Sequence, residues 1–354
     1  MVQARAVAAV EDRAMARALE IASTPGVPLG PNPRVGCVLL DETGSVIAEG
    51  FHRGAGTPHA EAAALAEAGD RARGATAVVT LEPCNHTGRT PPCSGALVEA
   101  GVRRVVFAQG DPNPVATGGS DTLRAAGIEV IAGHRHDEAR RLNRAWTFGL
   151  AHQRPLVTWK FATTLDGRSA AADGTSRWIT ALPSRRDTHR LRGECDVMLV
   201  GTNTVAVDDP ELTVRDDADH PVAHQPLRVV MGERDLPTGL RAFNDRAETL
   251  HLHTRDPRTA LGELFDLGRR HVFLEGGPTL AAAFLAAGLV DEVVTYVAPV
   301  LLGAGPSAVA DLGITTIADA MRWELIDAAV LGTGAEAGVR LTLVPNRPTP
   351  EEKS

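Results

Sequence analysis

Three side chains with high affinity for zinc, His59, Cys84 and Cys93, accompany a carboxylate, Glu61, two residues from the histidine. A structural zinc takes four protein ligands, so three ligands and a spare carboxylate predict an open catalytic site whose fourth position is left to water. Water held by a dication loses a proton near neutral pH and becomes a nucleophile. Glu61, not needed as a ligand, is suited to carry a proton from the attacking water to a leaving nitrogen. The pattern places His59 at the start of a helix and Cys84 to Cys93 between a strand end and the next helix, where helix N-termini favour thiolates. Cys37 and Cys195 lie in or beside apolar strands and read as packing residues.

A second constellation lies two hundred residues further on. The apolar run His271 to Leu274 leads into Glu275-Gly276-Gly277-Pro278-Thr279 and then an alanine-rich helical stretch. Adjacent glycines at a helix start let a phosphate approach free backbone N–H groups and the positive end of the helix. The second half has no G-x-G-x-x-G after its first strand, so the ordinary dinucleotide fingerprint is missing.

His-x-Glu followed by Pro-Cys is the zinc deaminase signature, but eight residues separate Cys84 from Cys93 where cytidine deaminases have two. That insertion, Asn85 to Pro92, together with Asn32-Pro33-Arg34-Val35-Gly36-Cys37 and Pro58-His59-Ala60-Glu61, resembles the deaminase half of the bifunctional riboflavin-biosynthesis deaminase/reductases. Lys160 to Arg168, Ser176 to Thr180 and Gly201 to Arg215 resemble the reductase half, in the same order. The resemblance implies an N-terminal cytidine-deaminase-like α/β/α layer fold and a C-terminal α/β fold similar to dihydrofolate reductase. It implies hydrolysis of the 2-amino group of 2,5-diamino-6-ribosylamino-4(3H)-pyrimidinone 5′-phosphate, then NADPH reduction of the ribosylamino to the ribitylamino group. It puts Asn32, His52, His86 and Arg89 near the first substrate. NADPH contacts fall to Thr163, Trp178, Thr204, Asp208 and the turn Gly277, Pro278, Thr279, Leu280, Ala281, Ala282 and Ala283. Contacts to the second sugar phosphate fall to Ser176, Arg192, Leu212, Arg215 and Glu275, and Lys160 is a candidate polarising or protonating group.

These side chains need scaffolds. Apolar positions Met15, Ala18, Leu19 and Ala22 share a helical face within 11–22. Strands are expected at 35–40, 45–49, 77–81, 104–108 and 128–131, and helices at 59–68, 94–100 and 121–126. The charged stretch 137–144 carries no strand pattern, and a boundary is expected near residue 150. Beyond it, strands at 156–161, 197–200, 227–231, 249–253, 271–274 and 292–297 alternate with helices at 184–192, 259–267 and 279–287. Such alternation predicts crossover connections and parallel or mixed sheets. The expected organisation is therefore a deaminase domain at 1–150, a reductase domain at 151–346 and a mobile tail at 347–354.

At 354 residues the chain exceeds one ordinary core, which agrees with two domains. A net charge of −8 speaks against a nucleic-acid backbone as partner, so a nucleic-acid or nucleoside deaminase with an accessory domain is the weaker reading. No apolar run is long enough for a membrane span, and Arg5, Glu11, Asp12 and Arg13 interrupt the start. Four cysteines are too few for a disulfide framework and suit a reducing, cytoplasmic compartment. Phosphorylated pyrimidines are the expected ligands and a homo-oligomer the expected assembly.

Overall fold

The computed structural model of the chain describes residues 2–86 and 91–346. Arg89 and the expected tail at 347–354 lie outside the described residues. The chain divides into two compact units, with the division between Gln153 and Arg154.

The first unit runs α1 (Val2–Ala22), β1 (Gly36–Leu40), β2 (Val46–Phe51), α2 (Ala60–Ala68), β3 (Thr76–Leu81), α3 (Cys93–Ala100), β4 (Arg104–Gln109), α4 (Gly119–Ala125), β5 (Glu129–Ala132), α5 (His136–Leu142) and α6 (Arg144–His152). Its sheet has the order β2-β1-β3-β4-β5. β1 pairs antiparallel with both β2 and β3, whereas β3, β4 and β5 are parallel. β1 and β3 are buried at every position, as strands covered on both faces must be. Alternate residues feed two cores. Cys37, Leu39, Val79 and Val105 pack with Ala60 and Ala64 of α2, Leu97 of α3 and Trp146 of α6. Val38, Leu40, Val78 and Val106 pack with Met15 and Ala18 of α1 and Ala139 of α5. The unit is thus a three-layer α/β/α sandwich.

Two glycines allow the close approaches that build its site. A Cβ on Gly50 of β2 would lie 2.3 Å from the carbonyl oxygen of Ala60, so only glycine lets the start of α2 rest on that strand. A Cβ on Gly119 would lie 1.7 Å from the carbonyl oxygen of Pro83, so only glycine lets α4 begin against the loop that carries Cys84.

The second unit runs β6 (Leu156–Thr164), α7 (Leu182–Arg192), β7 (Val197–Gly201), α8 (Thr202–Asp208), β8 (Leu227–Met231), β9 (Thr249–Leu252), α9 (Pro257–Asp266), β10 (His271–Leu274), α10 (Pro278–Ala286), β11 (Glu292–Ala298), β12 (Trp323–Leu331) and β13 (Gly338–Pro345). The sheet order is β12-β13-β11-β6-β10-β7-β8-β9. The six strands from β11 to β9 are parallel, and β13 and β12 add an antiparallel edge. Val157, Trp159, Val197, Leu199, Val272 and Leu274 face α9 and α10, which contribute Leu261, Leu264 and Phe284. On the opposite face Met198 and Phe273 pack with Leu191 of α7.

Several elements differ from the sequence expectation. The stretch 137–144 forms parts of α5 and α6; only Ala139 of α5 is buried, which gives no apolar period to read. α8 is only seven residues long. β12 is mostly exposed along its length, so the alternation that marks a strand is lacking there.

Candidate active sites

In the first unit the metal-binding types converge. His59 is the N-cap of α2, Cys84 follows the end of β3, and Cys93 opens α3. His59 Nδ1 lies 3.6 Å from Cys84 Sγ and 3.3 Å from Cys93 Sγ, and all three ligand atoms fall within 4.8 Å of one another. A tetrahedron built on Zn–N bonds of about 2.0 Å and Zn–S bonds of about 2.3 Å has N–S edges of roughly 3.5 Å, close to the two His59–sulfur separations, so the donor set suits zinc. A hydrogen bond from Cys93 is the main reason that the Cys84 thiol is pushed down to about 4, with His59 adding to it. Cys93 is pushed far up by its hydrogen bond with Cys84 and by burial, and a bound dication would favour the thiolate of both.

Glu61 is buried in the first turn of α2, and burial pushes its carboxyl up to about 7. His52 meets His59 edge to face, with ring centroids 5.5 Å apart. The Asn32 amide nitrogen lies 3.0 Å from His52 Nε2, and His52 Nδ1 lies 3.0 Å from the carbonyl oxygen of Pro58. The carbonyl can only accept, so Nδ1 carries the hydrogen and Nε2 accepts from Asn32. Burial holds His52 below the ordinary histidine range, in keeping with this neutral tautomer. His86 lines the same cavity of about 200 Å³, and its Nδ1 is buried without a hydrogen-bond partner among the described residues. The structure therefore brings together Asn32, His52, His59, Glu61, Cys84 and His86.

Three further residues line this cavity that the sequence reasoning did not single out: Glu82, Asp111 and Asn113. Glu82 accepts from the backbone N–H of Ser120 at 3.0 Å and of Asp111 at 3.4 Å, and Asp111 accepts from that of Asn113 at 2.8 Å. Burial pushes the Asp111 carboxyl up to about 6. The signal was present: Gly110-Asp111-Pro112-Asn113-Pro114 is a turn run directly after β4, and parallel sheets bind ligands at the carboxyl ends of their strands.

In the second unit several candidates lie on or beside β6, β10 and β7. Glu275 follows β10 and donates its backbone N–H to Leu199 of β7 at 2.9 Å. Arg192, from the end of α7, grips Glu275 through Nε at 2.6 Å and Nη2 at 2.8 Å, and its Nη1 reaches the carbonyl of Thr213 at 3.0 Å. Burial opposes a charge on Glu275, but Arg192 and Lys160 outweigh it and hold the carboxyl down at about 2. Arg192 is thus committed to a carboxylate along its bidentate edge. Arg215 is likewise paired with Glu211 and reaches Asp219 O at 3.0 Å. The backbone N–H of Arg215 donates to His189 Nδ1 at 3.2 Å, and burial beside Arg192 pushes His189 down to about 4.

Around them, a Cβ on Gly277 would stand 3.6 Å from Thr204 Oγ1, which puts the start of α8 against the glycine turn. Arg177 donates to the carbonyl of Asp208, so the segment bearing Ser176 and Trp178 is tied to the end of α8. Trp178 is 67% exposed, with the Arg185 guanidinium 4.3 Å over its ring. Thr163 and Leu212 are buried, and Ala281 faces the core rather than the turn. Lys160 Nζ has no hydrogen-bond partner among the described residues and lies 5.7 Å from the centre of the Tyr296 ring.

Both halves of the chain match known families. Residues 155–336 match the family described as RibD C-terminal domain, and residues 9–109 match the cytidine and deoxycytidylate deaminase zinc-binding region. Riboflavin biosynthesis protein RibD of Mycobacterium tuberculosis strain H37Rv is 47% identical over 314 residues, covering 88% of this chain and 92% of that protein. The protein of the same name from Escherichia coli K12 is 41% identical over 344 residues, covering 88% and 94%. The solved structure of Acinetobacter baumannii RibD, form 1, superposes with a TM-score of 0.82 at 37% identity, covering 96% of this chain and 100% of that one. With a zinc-binding deaminase region, a reductase domain and relatives of this identity along most of its length, the chain belongs to the RibD family, bifunctional enzymes that perform a zinc-dependent deamination and an NADPH-dependent reduction in riboflavin biosynthesis.

Proposed function

We propose how this chain's own residues divide the two reactions. Residues 1–150 deaminate 2,5-diamino-6-ribosylamino-4(3H)-pyrimidinone 5′-phosphate, with zinc held by His59, Cys84 and Cys93. The observation that carries this is the convergence of those three ligand atoms within 4.8 Å beside a buried carboxylate. The chemistry supplied there when zinc is bound is Lewis-acid activation of water near neutral pH. Glu61 is the residue that would take a proton from the attacking water and deliver it to the departing 2-amino nitrogen, which leaves as ammonia. Asn32, His52 and His86 orient the pyrimidine, and Arg89 meets the phosphate.

Residues 151–346 carry the reduction. When bound, NADPH supplies the hydride that converts the ribosylamino to the ribitylamino group at C1′. Thr163, Trp178, Thr204, Asp208 and the turn from Gly277 to Ala283 hold the cofactor, where the free N–H groups at the start of α10 suit a phosphate. Ser176, Leu212, Arg215 and the Arg192–Glu275 pair line the sugar phosphate. The Lys160 ammonium, whose Nζ has no hydrogen-bond partner among the described residues, offers its Nζ proton to the opening ribose. Replacing Lys160 with Met tests this half: NADPH oxidation with the deaminated intermediate should fall by about a hundredfold while NADPH still binds. Unchanged oxidation would remove Lys160 from the mechanism.

The active assembly is a homo-oligomer in the cytoplasm. β12 supports the first part: it is an edge strand whose Leu325, Ile326 and Val330 are exposed, Val330 by 73%, an apolar edge that isolated proteins avoid. Light scattering on the purified chain tests it, and a monomer mass would refute it. Four cysteines without a disulfide support the second. No helix among the described residues is long and apolar enough to cross a membrane.

A further inference from the structure

The chain has a single tyrosine. Tyr296 stands on β11 with 1% of its surface exposed, and its hydroxyl donates to Asp187 Oδ2 at 2.8 Å. Asp187, on α7, also receives Arg340 Nη1 of β13 at 3.0 Å and Arg190 Nε at 3.0 Å. A carboxylate held by two guanidinium groups is a fixed acceptor, so it fixes the plane of the phenol that bonds to it. In the parallel pairing of β11 with β6, Tyr296 stands opposite Ala162 and Val294 opposite Lys160. Side chains alternate along a strand, so Tyr296 and Lys160 project from the same sheet face. The α9 and α10 core takes the alternate residues Trp159 and Val293, which leaves Lys160 and Tyr296 on the α7 side. There Lys160 Nζ comes within 5.7 Å of the ring centre, inside the range of cation–π attraction.

We propose that Tyr296 is a positioning residue of the reductase: its ring, fixed by Asp187, seats the Lys160 ammonium beside Glu275. The inference rests on the assignment of Lys160 made above. The charged groups facing Lys160 are Glu275 from the end of β10 and Arg192 from α7. Burial and Arg192 press the ammonium to lose its proton, and Glu275 opposes them. The ring face works on the side of Glu275 and, with the hydroxyl turned to Asp187, offers Nζ no hydrogen-bond acceptor of its own. Tyr296 touches neither substrate nor cofactor in this account, so its removal should alter turnover and pH dependence without weakening cofactor binding.

The test compares Tyr296→Phe, Tyr296→Leu and Lys160→Met in the full chain, following NADPH oxidation with the deaminated intermediate from pH 6 to 10. Tyr296→Phe keeps the ring and should hold kcat within about threefold, whereas Tyr296→Leu should lower it about tenfold, with the NADPH dissociation constant unchanged in both. The alkaline limb of the profile should move about one unit to lower pH in Tyr296→Leu, because the ammonium loses a favourable neighbour. Tyr296→Leu that binds NADPH normally yet reduces at the unaltered rate with an unmoved limb, while Lys160→Met is inactive, would overturn the proposal. Full activity in Lys160→Met would instead overturn the assignment on which it rests. Should Tyr296→Leu fail to bind NADPH, Asp187→Asn decides: a kcat about threefold lower with the limb displaced to lower pH supports the tether, and an unaltered profile refutes it.

Discussion

His59, Cys84 and Cys93 are assigned to hold a metal, whereas Glu61 is assigned to move a proton, and the two tasks fail differently. Cys84→Ala and His59→Ala should purify without zinc and release no ammonia, whereas Glu61→Gln should retain zinc and lose turnover by at least about a hundredfold. Metal analysis beside an ammonia assay measures both, and full turnover in Glu61→Gln would exclude the proton-carrying role. Glu275 gives a second test at this scale. Its carboxyl is held at about 2 against an ordinary 4.5, so its stabilisation is complete above pH 4.5 and lost as the pH falls toward 2. A displacement of this size corresponds to about 3 kcal/mol. Urea unfolding of Glu275→Gln should therefore show a deficit at pH 7 that narrows below pH 4.5, and a deficit constant with pH would contradict the ion pair. The zinc ligands were legible in the sequence because each lies in a short motif whose residue types have few other uses. The Arg192–Glu275 pair was not, because its partners are 83 positions apart and only the return of β10 beside β7 joins them.

Helix and strand placement decides whether those residues meet. Gly119 is the sharpest case, since a methyl group there would collide with the carbonyl of Pro83 and displace the loop that leads into Cys84. Gly119→Ala should lower zinc retention and ammonia release at least tenfold, the shift being forced on backbone rather than on a flexible side chain. Gly95→Ala is the matched control: it lies within α3 with nothing near its added methyl, and should raise stability by about 0.5–1 kcal/mol. Equal deamination by the two variants would show that the contact does not position the site. Most elements were readable because buried strands such as β1 and β3 are continuous apolar runs and α1 repeats its apolar face. β12 escaped because none of its residues is buried and most are exposed, and α5 because its charged residues surround one buried alanine. Asp111 and Asn113 escaped for a related reason: a Gly-Asp-Pro-Asn-Pro run reads as a turn until the sheet order shows that it closes a cavity at a strand end.

At the scale of the molecule, the proposed contacts for each reaction fall on one side of the division between Gln153 and Arg154, and each unit has its own sheet and core. Units with separate cores keep separate stabilities, so injury to one site leaves the other intact. The most direct measurement follows ammonia release and NADPH oxidation separately in the full-length Cys84→Ala chain. Given the diamino substrate, it should release no ammonia; given the deaminated intermediate, it should oxidise NADPH within about twofold of the unaltered chain. Ammonia release by this variant, or loss of NADPH oxidation while the chain still binds NADPH, would contradict two reactions performed at two sites.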